Sequence, residues 1–314
     1  MKILIVGNGA HTKKRIFPAL KKISNIQSIT IGDKNADREE IIDNKTRIIN
    51  LSKIFKEKKN FNIAIVATPP TSHQEIYNDI SSFCEKVLIE KPISNDFDWI
   101  FGDEFKLDIK NKKLFESLMY FHHPLWNVIK QIINENNIVK IVTEFCVPHQ
   151  PNNSYRYSKA AGGGSLNDQG IYPVSFAAEI IKSKFAFKKI DIFSKKNYEV
   201  DLSGNFNMTI DDEIDFIGKW GLGKEYKNYV NLYSDSGKEY RVDFLYSKPD
   251  DTEIKIKVHD KILIEEIDVG IHNQFYLMYD ALINNNLNNF FYSNYDNLQR
   301  RYKIFNQIYK QINQ

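Results

Sequence analysis

The chain has 314 residues and a formal net charge of +3, with 43 Lys+Arg against 40 Asp+Glu interleaved along its length. That balance supplies no basic stripe for a nucleic-acid backbone or an anionic membrane surface, and no apolar run approaches the roughly 18 residues of a membrane span. Two cysteines, Cys84 and Cys146, are too few for a disulfide framework and have neither CxxC nor zinc spacing; with no signal-peptide core at the N-terminus, a cytoplasmic protein is expected.

The length predicts two domains. Over residues 1–115 the runs "KILIVG" (2–7), "SITIG" (28–32), "NIAIVAT" (62–68) and "KVLIE" (86–90) read as buried parallel strands, being β-branched and bounded by turn residues. Between them "KKRIFPALKKI" and "HQEIYNDISSF" have apolar residues at helical spacing. Strand, helix, strand repeated predicts a doubly wound α/β sheet over residues 1–118.

Beyond residue 120 the period changes to two in "KIVTEFCVPH", "FKKIDIFSKK", "FNMTIDDEIDFIGKWG", "YVNLYSDSGKEYRVDFLY" and "EIKIKVHDKILIEEIDV". This predicts an α+β domain over residues 119–314 with an open, mostly antiparallel sheet. "SDSG" (234–237) marks a hairpin turn. "HNQFYLMYDALI" and "LQRRYKIFNQIYKQI" read as two closing helices, the last a candidate to pack back toward the first domain, and the Asn-rich "NNNLNNFFYSNYDN" between them reads as a polar loop.

The first strand runs into "GNGAHT" (7–12). Gly7 would allow a tight turn and Gly9 the close approach of a pyrophosphate to the following helix N-terminus, with Ala10, His11 and Thr12 completing the turn; Thr12 stands where the dinucleotide fingerprint has its third glycine. A plain glycine turn between strand and helix is the competing reading. Asp33, 26 residues after Gly7 at the end of the second strand, can accept hydrogen bonds from ribose hydroxyls and favours NAD over NADP, an exclusion that Lys34 and Arg38 soften. "ATPPTSH" (67–73), with Thr68, Pro69 and His73, and "EKP" (90–92), with Glu90 and Lys91, both end strands at the edge where such sheets hold their ligand.

Four of these pieces in one order, namely the glycine turn followed by "RIFPAL" (15–20), "ATPPTSH", "EKP" and "GGGSLNDQGIYPV" (162–174), give a chain that resembles the Gfo/Idh/MocA oxidoreductases along nearly its whole length. The resemblance implies an NAD(P)-binding Rossmann domain, a C-terminal domain that often mediates dimers or tetramers, a catalytic lysine at Lys91 and an acid/base in the glycine-led motif. Many members have histidine where this chain has Tyr172, and the last aspartate of their motif falls on Ser175. Tyrosine is the residue of the branch similar to glucose-fructose oxidoreductase, dihydrodiol dehydrogenase and the sugar-nucleotide 3-ketoreductases. "ESLMYFHHPLW" (116–126) resembles the same branch, and there one of His122 and His123 would contact substrate hydroxyls while the other packs. No metal is expected, because adjacent histidines point apart and no third ligand is placed. Ser165 lacks the glycine two residues on that a nucleophile elbow needs.

The expected reaction moves hydride between nicotinamide and the carbinol or ketone carbon of a sugar or nucleotide sugar. Tyr172, a phenol with an ordinary pKa of about 10, would supply the proton, and an ammonium at Lys91 would ease its ionisation. Asp168 reads either as a substrate-binding or orienting group or as a helix N-cap. Pro173 suits a first helical position and would put Tyr172 at a helix mouth; a helix already running at Asp168 would set the two residues one turn apart. Two alternatives remain at this stage: a dehydrogenase of a dihydrodiol or polyol, and a non-catalytic nucleotide-binding protein of the same fold.

Overall fold

The apolar runs of the first third fold as strands, and the central ones are largely buried because both faces of a parallel sheet are covered, whereas edge strand β3 is exposed. In the computed structural model, which describes residues 1–260 and 263–312, these are β1 (Lys2–Val6), β2 (Ser28–Asp33), β3 (Glu40–Ile41), β4 (Thr46–Asn50), β5 (Phe61–Val66), β6 (Cys84–Glu90) and β7 (Leu114–Ser117). Their order is β3-β4-β2-β1-β5-β6-β7, parallel except for the β3–β4 pair. From β1 the chain turns first to β2 on one side and later to β5 on the other. The carboxyl ends of β1 and β5 therefore flank the switch point where an open α/β sheet forms its ligand crevice.

The second sheet contains β8 (Ile138–Val147), β9 (Phe185–Ser194), β10 (Asp201–Ile210), β11 (Ile214–Leu222), β12 (Lys227–Ser234), β13 (Glu239–Asp243), β14 (Glu253–His259) and β15 (Ile264–Ile271). The order is β15-β14-β13-β12-β8-β11-β10-β9, antiparallel except where β11 runs parallel to β8. Alternation of buried and open positions along β12 and β14 is the period-two signature of a sheet with one packed face. Residues 261–262 of the last hairpin read from the sequence, and 313–314, lie outside the described residues.

The chain divides into two compact units: Met1–Leu118 with Phe275–Asp296, and Met119–Gln274 with the segment from Asn297 onward. The Asn-rich stretch expected as a polar loop is a packed part of the first unit. It forms a 3-10 turn, Leu287–Ser293, with Phe290, Tyr292 and Ser293 buried, and Ser293 Oγ accepts the Glu116 backbone N–H at 3.0 Å; its aromatics, not its asparagines, decide its fate. Both cysteines are free and buried, and burial pushes each thiol up to about 12. Among the described residues no helix is long and apolar enough to cross a membrane.

Candidate functional site

In the first unit the glycine turn is built by the sheet itself. Gly7 has φ +107° and a Cβ there would lie 2.6 Å from the Ala67 carbonyl oxygen, so only glycine fits between the ends of β1 and β5. The Gly7 N–H donates to Gly32 O at 2.9 Å. Thr12, 1% exposed, donates its hydroxyl to Gly7 O at 2.7 Å, so the residue that departs from the glycine fingerprint closes the turn from below. It opens the helical segment Thr12–Ile16, which continues as Phe17–Leu20. Gly9 and Ala10 are exposed.

His11 joins this turn to the end of β6. Its Nε2 lies 3.2 Å from Glu90 Oε1, the same oxygen that accepts the Ser117 hydroxyl at 2.9 Å. Burial pushes the Glu90 carboxyl up, but His11, the Ser117 hydroxyl and the Lys91 ammonium outweigh it and hold the group below the usual carboxylate range. Lys91 follows at the carboxyl edge, with a cis bond to Pro92.

The "ATPPTSH" loop is braced from within. His73 is fully buried; its Nε2 lies 2.9 Å from Thr68 O, and its Nδ1 3.1 and 3.2 Å from the carbonyl oxygens of Pro92 and Ile93. Burial lowers its pKa, and the three carbonyls pull the other way. His73 thus staples the loop after β5 to the loop after β6, and it is exposed Pro69 and half-buried Thr68 that face outward. Asp33 ends β2 with both carboxylate oxygens engaged, one by Asn8 Nδ2 at 3.1 Å and the other by the Asn35 N–H at 2.9 Å.

In the second unit the glycine-led motif becomes one continuous helical segment. A wide π-type turn, Leu166–Gly170, runs directly into the helix Ile171–Ile180, so the helix starts before Pro173 and not at it. Tyr172 follows Asp168 by one turn. Pro173 follows the wide turn and has no N–H to donate back to the carbonyls of that turn. The turn is capped by Asp201, which sequence reasoning did not single out: its Oδ2 accepts the Ser165 hydroxyl at 2.5 Å and the Leu166 N–H at 2.8 Å. Burial raises the Asp201 pKa, and these hydrogen bonds resist the rise.

Tyr172 is 4% exposed and sits in an aromatic box. Ring centroids of Phe145, Tyr246 and Tyr120 lie 5.0, 5.3 and 6.0 Å from its own, and its hydroxyl is 3.6 Å from Met119 Sδ. Ser175 is 2.8 Å from the Tyr120 hydroxyl and donates to the Tyr172 carbonyl at 2.7 Å. Asp168, 8% exposed, is ion-paired with Arg156.

Burial lowers the pKa of both His122 and His123 to about 3, so both are neutral at neutral pH. His123 is 1% exposed, takes the Leu125 N–H on Nδ1 at 3.1 Å and packs edge-on against His272. His123 is thus a packing residue. Among the described residues no group of three or more His, Cys, Asp and Glu is placed to hold a metal ion.

Residues 1–100 match the family described as "Oxidoreductase family, NAD-binding Rossmann fold" (Gfo/Idh/MocA). Over most of its length the chain is similar to a dTDP-3,4-didehydro-2,6-dideoxy-alpha-D-glucose 3-reductase from Saccharopolyspora spinosa, at 21% identity over 285 residues covering 87% of this chain and 84% of that one. The first third of the chain thus carries the Rossmann part of the Gfo/Idh/MocA oxidoreductases. Another relative of the same name, from Actinomadura kijaniata, is 20% identical over 88% of this chain and 84% of its own. Among solved structures, a 3-ketoreductase from Actinomadura kijaniata in complex with NADP and TDP-benzene superposes with a TM-score of 0.88 at 18% identity, covering 99% of this chain and 97% of that one. An aldose-aldose oxidoreductase from Caulobacter crescentus complexed with glycerol superposes at 0.79 and 15% identity, covering 99% and 96%. At these identities the structural likeness establishes the fold.

The glycine turn fits the dinucleotide that gives this Gfo/Idh/MocA family its description. A Cβ at Gly9 would meet no protein atom within 4 Å, so nothing in the protein requires glycine there, whereas a phosphate resting on the backbone would. The preference for NAD expected from Asp33 finds no support, since the solved 3-ketoreductase that shares this fold holds NADP.

Proposed function

We propose that the chain reduces a keto group on the sugar ring of a sugar nucleotide, using NADH or NADPH. The observation that carries this reading is the likeness, over 84% of their length, to reductases named for a dTDP-keto-sugar, in a chain with a lysine just past the end of strand β6 and a buried phenol on a helical segment of the second unit. The solved 3-ketoreductase was also studied with one tyrosine changed to phenylalanine and with one lysine changed to alanine, the two residue types assigned here.

Gly7, Gly9, Ala10, His11 and Thr12 are assigned to the pyrophosphate, Asp33 to the adenosine ribose, and Thr68, Pro69 and Glu90 to the rest of the rim, with His73 holding that rim in place. When bound, the nicotinamide supplies hydride. Tyr172 gives its phenolic proton to the oxygen of the ketone as it becomes an alkoxide, and Lys91 carries the charge that develops there. His122 is assigned to the sugar hydroxyls. The cofactor is NAD or NADP without the preference for NAD; NADP in the solved neighbour, with Lys34 and Arg38 beside Asp33, supports the phosphorylated form equally.

Purified protein is expected to consume NAD(P)H, followed by nicotinamide absorbance, with a dTDP-linked keto-sugar and not with free sugars or polyols. Tyr172→Phe should lower kcat by about 10²–10⁴-fold at unchanged melting temperature. Failure to bind either dinucleotide overturns the oxidoreductase reading; full turnover by Tyr172→Phe overturns only the proton donor. We also propose self-association as a homodimer or homotetramer, supported by the exposed apolar residues of edge strand β15, Ile264 at 69% and Ile271 at 58%. A monomer at micromolar concentration in sedimentation would remove that proposal.

A further inference from the structure

The three glycines 162–164 pack against their own unit. A Cβ at Gly163 would lie 2.5 Å from the carbonyl oxygens of both Tyr155 and Arg156. Gly164 N–H donates to Arg156 O at 2.8 Å, Gly163 N–H to Ser158 O at 2.9 Å, and Asn167 Nδ2 bridges the carbonyls of Gly162 and Gly163 at 2.9 Å each. The bare backbone thus forms a seat for residues 154–158. Ser154 Oγ accepts the Arg156 N–H at 3.4 Å, and the Arg156 guanidinium lies over the Tyr155 ring, 4.9 Å from its centroid. Stacked on that ring, the guanidinium donates through Nε to Asp168 Oδ2, an oxygen that also accepts Gln169 Nε2.

A carboxylate as buried as Asp168 is costly without a cation. It lies on the turn that leads into Tyr172, and its N–H is held by Gly164 O at 3.1 Å, the same glycine that holds Arg156. Arg156 interacts electrostatically with both Asp168 and Tyr172, the phenols of Tyr120 and Tyr246 lie beside the Tyr172 ring, and among these groups Arg156 supplies the positive charge.

We propose that Arg156 is a positioning residue for Tyr172: seated on the glycine run, it neutralises Asp168 and fixes the turn from which the phenol acts. The proposal rests on the reading of Tyr172 as proton donor. Without the guanidinium, an uncompensated anion one turn away would disfavour the phenolate, making Tyr172 a weaker acid, and would loosen the turn that aims it.

The test combines turnover of a dTDP-keto-sugar with NADPH, melting temperature, and titration of the Tyr172 phenol in substrate-free protein by the Cζ shift of labelled tyrosine, assigned with Tyr172→Phe. Arg156→Ala is expected to lower kcat about tenfold or more with KM for NADPH unchanged, and to raise the phenol's midpoint by about one pH unit. Arg156→Lys should bring both most of the way back, because the charge returns without the fork. Asp168→Asn in the otherwise unchanged protein should move the midpoint the opposite way, and it keeps the test alive if Arg156→Ala does not fold. A midpoint unmoved by Arg156→Ala or by Asp168→Asn, with kcat within twofold of the parent, overturns the proposal. If the parent protein turns over no keto-sugar, the functional reading fails, while the phenol titration still decides whether Arg156 controls Tyr172.

Discussion

Gly9 of the first unit and Gly163 of the second both sit just ahead of a helix in a motif that the sequence marks as chemical, yet their surroundings are opposite. A Cβ at Gly9 would meet nothing within 4 Å, and one at Gly163 would press on two carbonyl oxygens at 2.5 Å. The first glycine leaves room that the protein does not fill, which is what a ligand's approach requires. The second lets one stretch of backbone lie against another, and its chemical consequence is indirect, through the arginine seated there. A glycine run therefore signals close approach, but only its neighbours say what approaches.

Substitution at the two positions separates these roles. The largest effect is expected from Gly163→Ala: the carbonyls of Tyr155 and Arg156 are backbone and cannot swing aside, so stability should fall by about 1–3 kcal/mol, read by denaturant unfolding, with turnover falling as the Arg156 seat is lost. Gly9→Ala should leave stability within about 0.5 kcal/mol of the parent and weaken dinucleotide binding about tenfold, about 1.4 kcal/mol, measured by titration calorimetry. A destabilised Gly9→Ala with normal cofactor affinity would dissolve the contrast. The smallest change is expected from Thr12→Val, which keeps the shape of a buried side chain but removes its hydrogen bond to Gly7 O; about 1 kcal/mol of stability should go, with a lesser loss of cofactor affinity.

The parallel core was legible because β1, β2, β5 and β6 each contain a β-branched apolar run bounded by turn residues. β4 and β7 were not: "TRIIN" carries a charge inside five residues, and "LFES" is too short to carry a period. The antiparallel sheet was legible from alternation alone. In the site, Gly7, Lys91 and Tyr172 stood in recognisable strings, whereas Arg156 and Asp201 act across gaps of 12 and 36 residues, to Asp168 and Ser165, from segments with no pattern. Pro173 misled for a physical reason: a proline signals a helix start only when the turn before it is not already helical, and the wide turn Leu166–Gly170 leaves no local mark in composition.

His73 couples two loops that the chain separates by some twenty residues, holding Thr68 on one side and Pro92 and Ile93 on the other. The rims after β5 and β6 are consequently one mechanical body. A cofactor laid across them meets a surface whose disorder was removed when the protein folded, so little of its binding free energy goes into arranging the rim. A cut in this staple, His73→Ala, would act on both loops at once, and its signature would be a shared gain of motion in two segments distant in sequence, neither of which had itself been altered.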